Sequence, residues 1–95
     1  GLDIEENAIL RGNRSACFFA LKEFNAAAAD AQAALNVDKM YIKGYFRLSA
    51  ALKGLGKVTE AAYVAKAGLE IDPGNVALRK IVASAIRETR ISDAP

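Results

Sequence analysis

The pattern of hydrophobic and polar positions is clearest after Asn75, where apolar residues recur at helical spacing along one side and charged residues occupy the other side. Small residues recur three or four positions apart in two earlier segments, which is typical of helices that approach each other closely. These small residues are Ala27, Ala31, Ala34, Ala61, Ala65 and Gly68. We expect the gaps between helices to be filled by Phe18, Leu21, Leu35, Leu52, Leu55 and Leu69.

Two segments interrupt this helical pattern. Lys53–Lys57 contains two glycines, which disfavour helix and suit a tight turn. Asp72–Asn75 combines a proline stop with a residue able to cap the next helix. The sequence therefore predicts an all-α fold of five helices. Their expected bounds are about Ile9–Phe24, Ala26–Val37, Met40–Leu55, Glu60–Ile71 and a last helix that begins after Asn75.

The chain repeats itself with a period of 34 residues. Residues 8–41 align with residues 42–75, and side chains suited to cap a helix start, Asn25 and Thr59, fall at the same place in both copies. We expect each copy to be a hairpin of two antiparallel helices. Residues 76–90 are expected to form a capping helix, and the whole chain of 95 residues to form a single domain.

Composition narrows the class of protein. The chain is 53% hydrophobic and 25% charged, with a net charge of +2, as in an ordinary folded domain. No apolar run is long enough to span a membrane, and one cysteine suits a reducing compartment, so we expect a cytoplasmic protein with no membrane contact. There is no histidine, and the acidic residues are dispersed. We therefore expect no enzyme activity, no metal site and no cofactor.

Positive charge is concentrated in one segment. Between Asp38 and Glu60 the chain has no acidic residue but carries Lys39, Lys43, Arg47, Lys53 and Lys57. Two of these cations are four positions apart, hence on one helix face. The segment could be a solvated helix face or a surface for an acidic partner. A nucleic-acid surface is a third reading, although the small net charge argues against it.

The repeat unit resembles the tetratricopeptide repeat. The resemblance rests on the 34-residue helical hairpin, the small residue early in its second helix and the Asp-Pro exit at Pro73. Phe18 and Leu52 occupy the place of the family's large side chain in the first helix. Arg11 and Tyr45 stand where the family usually has tryptophan. The resemblance implies an α-solenoid, in which the hairpins stack into a right-handed superhelix.

Two motifs resemble a narrower group, the dicarboxylate-clamp repeat domains of co-chaperones. The motifs are "NRSA", which begins at Asn13, and "KGYFR", which runs from Lys43 to Arg47. Such domains bind the C-terminal Glu-Glu-Val-Asp tail of heat-shock proteins 70 and 90. The resemblance implies that Asn13 holds the terminal carboxylate and that Lys43 and Arg47 bind acidic groups of the tail. Secondary groove positions are Gly12, Ala16, Phe46, Ala50 and Lys53.

One departure from the clamp pattern qualifies this hypothesis. Clamp domains use three repeats, and only seven residues precede the first repeat here. We expect a fragment that lacks an upstream repeat, with an apolar surface on its first helix pair and a tendency to form homo-oligomers through it. The alternatives are a repeat scaffold for another peptide or for self-assembly, and a weak nucleic-acid binder.

Overall fold

The structure, a computed structural model, describes the backbone of residues 3–93 and the side chains of residues 3–89. It contains five α-helices and, within residues 3–93, no strand. The helices are α1 Ile4–Ala20, α2 Phe24–Val37, α3 Ile42–Gly54, α4 Val58–Ile71 and α5 Val76–Asp93. The predicted all-α fold is confirmed.

The helices stack in two layers. Each helix packs against the next one along the chain, and α3 also contacts α1 and α5. Within the described part of the chain, α2 and α4 do not contact each other. Therefore α1, α3 and α5 form one layer and α2 and α4 form the other, as in a stack of helical hairpins. The layer of α1, α3 and α5 carries the residues that the sequence analysis assigns to a binding site.

The first helix begins earlier in the chain than the sequence analysis predicts. It starts at Ile4 instead of Ile9, because Asp3 acts as its N-cap: the Asp3 carboxylate accepts a hydrogen bond from the Glu6 amide at 2.7 Å. Glu5 and Glu6 in the first turn add a favourable interaction with the helix dipole. The acidic N-terminal segment thus belongs to the helix.

The first helix also ends four residues earlier than predicted, at Ala20. Lys22 takes the left-handed conformation with φ of 61°, and Gly56, one repeat later, does the same with φ of 80°. The Glu23 amide donates to the Phe18 carbonyl at 2.9 Å, which closes a Schellman turn. The sequence analysis missed this turn because a lysine stands where its copy has glycine.

The early turn changes the position of Leu21. Leu21 follows the helix end and is 69% exposed, so it does not fill the core as predicted. Leu35, by contrast, is buried, and Leu52 and Leu69 pack against the core as expected.

The core consists of small residues that let helices approach, with a few leucines and isoleucines between them. One buried cluster joins α2 to α3 and another joins α4 to α5. The alanines that the sequence analysis singled out are fully buried. A Cβ at Gly68 would lie 2.7 Å from Leu78 and 2.8 Å from Tyr45, so only glycine fits between α3, α4 and α5. The predicted use of small residues for close approach is confirmed.

Candidate functional site

The three residues assigned to a carboxylate clamp lie on two adjacent helices of one layer. Asn13 is on α1, and Lys43 and Arg47 are on α3. Asn13 and Lys43 line one surface cavity of about 380 Å³, together with other residues of both helices and with Tyr41 and two further residues of the loop before α3. The structure therefore brings together two side chains that are 30 positions apart in the sequence.

Tyr41 packs against α1 at the edge of this cavity. The Tyr41 ring covers Gly12, so that a Cβ at Gly12 would lie 2.8 Å from the ring atom Cε2. Burial raises the pKa of the Tyr41 hydroxyl, and the positive charge of Arg47 acts in the opposite direction. Asn13, Tyr41 and Lys43 line the same cavity, and Arg47 lies one helical turn beyond Lys43 on α3.

No motif in the sequence points to Tyr41. Gly12 was expected to be a secondary groove position, whereas the structure shows that it leaves room for Tyr41. The signal that could have found the contact is the glycine itself, because a glycine in mid-helix indicates that something approaches closely.

The cations of the site are not used by internal ion pairs. Within residues 3–89, no side chain forms a hydrogen bond or a salt bridge with Asn13, Lys43 or Arg47. Lys43 and Asn13 are exposed, and Arg47 is half-buried, with its guanidinium 5.5 Å from the centre of the Phe46 ring. The polar groups of all three residues can therefore meet an external ligand.

Two acidic side chains, Glu5 and Asp38, also line the cavity. Asp38 accepts a hydrogen bond from the Met40 amide at 3.0 Å and so helps to shape the loop before α3. Glu5 is exposed on the first turn of α1. A carboxylate ligand would therefore meet both cations and anions, and its orientation in the cavity matters.

The rest of the "NRSA" motif holds the two helices of the first hairpin together. Arg14 donates two hydrogen bonds of 2.7 Å to the carboxylate of Asp30 on α2. These bonds lower the pKa of Asp30, although burial acts against them. The buried Ser15 hydroxyl donates to the Ala27 carbonyl at 2.7 Å. Of the four residues of this motif, Asn13 alone lines the cavity with Lys43.

The secondary groove residues are distributed over two places. Phe46 and Lys53 line an open groove of about 610 Å³ between α3 and α5, and the Lys53 ammonium donates to the Ser84 hydroxyl at 2.7 Å. Ala16 and Ala50 are half-buried on α1 and α3.

Comparison with known proteins gives the family. No family model matches the chain. It is 42% identical over 74 residues to heat shock protein STI1 of Saccharomyces cerevisiae, a match that covers 78% of this chain and 13% of STI1. Its fold superposes on the first TPR of Spaghetti (RPAP3) bound to the HSP90 peptide SRMEEVD with a TM-score of 0.85 and 30% identity, covering 88% of this chain and 68% of that one. The chain belongs to the tetratricopeptide repeat (TPR) family. The predicted family is confirmed.

A second solved TPR domain extends the likeness. The second TPR domain of human RPAP3, in complex with the HSP70 peptide SGPTIEEVD, matches with a TM-score of 0.80 and 28% identity, covering 83% of this chain and 66% of that one. Against the full-length relatives the match is short, since the chain spans only about one eighth of STI1.

Two features are absent from the residues that the structure describes. No three metal-ligating side chains cluster there. None of the described helices is both long and apolar enough to cross a bilayer.

Proposed function

We propose that this TPR domain is an adaptor module that binds the acidic C-terminal tail of a heat-shock chaperone, HSP70 or HSP90, which ends in Glu-Glu-Val-Asp. The observation that carries the proposal is that Asn13 and Lys43 line one cavity, that Arg47 lies one turn further along α3, and that none of the three has an ion-pair or hydrogen-bond partner among the described side chains. The likeness to TPR domains solved with such peptides supports it.

Each residue has a role that follows from its chemistry. Asn13 donates its amide hydrogens to the terminal carboxylate, where a third cation would be repelled by its neighbours. Lys43 acts as a point charge towards the same end of the peptide, and Arg47 grips a side-chain carboxylate with its planar fork. Tyr41, which lines the same cavity as Asn13 and Lys43, adds a further polar group.

The strength of binding can be bounded. Hydrogen bonds to charged groups contribute about 1.5–3 kcal/mol each, and ordering a flexible tail costs several kcal/mol. Micromolar affinity, about 8 kcal/mol of standard free energy, is the expected outcome.

The decisive experiment compares two peptides that differ only at the C-terminus. We expect SRMEEVD with a free carboxylate to bind and its amidated form to lose binding, because Asn13 and Lys43 meet the terminal carboxylate.

Lys43→Ala or Arg47→Ala should each cost about 1–3 kcal/mol of binding free energy. Lys57→Ala, an exposed lysine outside the site, is the matched control and should leave affinity unchanged. Equal binding of the two peptides would contradict the clamp hypothesis and favour the alternative, a repeat scaffold for another ligand.

The wider role of the protein follows from this proposal. We infer a non-catalytic adaptor that works in the cytoplasm, where these chaperone tails are found, and that does not bind nucleic acid. A single-stranded oligonucleotide titrated in the same assay should show no binding. Saturable binding of the oligonucleotide at physiological salt would favour the nucleic-acid alternative.

A further inference from the structure

A second basic surface lies next to the clamp, on the side away from α1. The groove between α3 and α5 is lined by Phe46, Ile81 and two alanines at its apolar base. Lys53, Lys80, Ser84 and Arg87 form its polar part. No acidic residue lines the groove among the side chains that the structure describes.

Lys53 is held in the groove by a specific contact. It lies in the last turn of α3 and is half-buried, and its ammonium donates to the Ser84 hydroxyl on α5 at 2.7 Å. A hydroxyl satisfies one donor of the ammonium and neutralises none of its charge. The hydrogen bond therefore holds a positive charge at the interface between α3 and α5.

Lys80 and Arg87 carry the basic surface along α5. They are seven positions apart, two helical turns, so they lie on one face about 10 Å from each other. Ser84 lies between them on the same face and connects them to Lys53. Both side chains are exposed. Three cations thus surround a groove with an apolar base.

We infer that this groove selects chaperone tails that carry an acidic residue ahead of the terminal Glu-Glu-Val-Asp. The inference rests on the proposed function. Arg47 directly follows Phe46, which lines the groove, and Lys53 stands six residues after Arg47, a rise of about 9 Å along α3. An extended peptide covers this rise in about three residues. A tail whose carboxylates reach Arg47 therefore places the residues just before the Glu-Glu pair over this groove.

The test is a charge series at one position of a peptide of known sequence. SRMEEVD carries an arginine two places before the Glu-Glu pair. Peptides with Arg, Gln or Glu there are titrated by fluorescence anisotropy against the wild-type chain. We expect the Glu peptide to bind about three- to tenfold tighter than the Gln peptide, and the Arg peptide more weakly than both. Raising the salt concentration should reduce the differences in affinity between the three peptides.

A double variant and its control assign the effect to the groove. In Lys80→Gln with Arg87→Gln, the ratio of Glu to Gln affinity should fall to about one. Lys57→Gln with Lys66→Gln removes the same charge from surfaces outside this groove and should leave the ratio unchanged. A ratio that persists in the Lys80 and Arg87 variant would overturn the inference.

Two other outcomes separate this inference from the proposed function. If the wild-type chain binds the three peptides equally and Lys43→Ala abolishes all binding, the groove has no selectivity while the clamp stands. If no peptide binds, or if amidated peptides bind as well as free ones, the clamp itself is wrong, and with it the inference.

Discussion

Lys22 holds a backbone conformation that glycine holds one repeat later. Its φ of 61° lies in the left-handed region, where a Cβ costs about 1–2 kcal/mol. Replacing Lys22 by glycine removes this cost, but the greater conformational freedom of glycine in the unfolded chain offsets about 0.5–1 kcal/mol of the benefit. We expect Lys22→Gly to raise the free energy of unfolding by about 0.5–1 kcal/mol, measured by urea denaturation.

The neighbouring turn offers a control for this substitution. Lys57 is also an exposed lysine beside a Schellman turn, but its φ is −90°, which any residue adopts. Lys57→Gly should therefore lower the free energy of unfolding. If Lys22→Gly lost as much stability as Lys57→Gly, the backbone at Lys22 would not be strained, contrary to this prediction.

Glu5 is the acidic side chain of the candidate site that is most easily substituted, because it is exposed on the first turn of α1. It lines the cavity of Asn13 and Lys43, so it should repel a carboxylate ligand. We expect Glu5→Gln to tighten binding of SRMEEVD about two- to threefold, as read from anisotropy titrations. Glu6→Gln, one residue away and absent from the cavity lining, serves as the control. Weaker binding in Glu5→Gln would mean that Glu5 orients the ligand instead.

Between the elements, the Arg14–Asp30 pair joins α1 to α2 where the second repeat uses an apolar pair. The equivalent positions one repeat later are Leu48 and Val64, which pack in the core. Because Arg14 lowers the pKa of Asp30 in the folded chain, the unfolded chain binds more protons in acid. The stability that the pair provides is fully present above the ordinary aspartate pKa of 3.8 and is lost as the pH falls below it.

Asp30→Asn tests this interaction. We expect the variant to melt a few degrees below the wild type at neutral pH, because Arg14 loses a charged acceptor. The difference in Tm should shrink as the pH is lowered below the ordinary aspartate pKa of 3.8 and Asp30 of the wild type takes up its proton. A Tm difference that stays constant with pH would show that the carboxylate charge does not matter.

The sequence predicts the five helices well and the ends of α1 poorly. The alanines of α2 and α4 and the proline of "DPGN" are local signals that need no knowledge of packing. Lys22 gives no such signal, because its strained conformation is imposed by the turn around it. Asn13, Lys43 and Arg47 stand out through their motifs. Tyr41 does not, since its contact with Gly12 arises only when α1 packs against the start of α3.

At the scale of the whole molecule, we expect exposed apolar residues of α1 and of the turn after it to favour self-association. Leu10 of α1 is 60% exposed, and Leu21, which follows the end of α1, is 69% exposed. We expect sedimentation to show concentration-dependent dimers at high micromolar concentration, and Leu10→Ser with Leu21→Ser to weaken them. Met40→Ser with Tyr63→Ser removes equally exposed side chains elsewhere and serves as the control. A wild-type chain that stays monomeric would contradict this prediction.

The elongated shape of the molecule, 55 Å by 29 Å by 17 Å, has a consequence for its motions. Among the helices that the structure describes, α5 contacts α3 and α4 but neither helix of the first hairpin, so it can detach while the first hairpin remains folded. Detachment would break the bond between Lys53 and Ser84 and remove one wall of the basic groove. A ligand that spans both helices should therefore slow hydrogen–deuterium exchange at the backbone amides of α5 more than at those of α2.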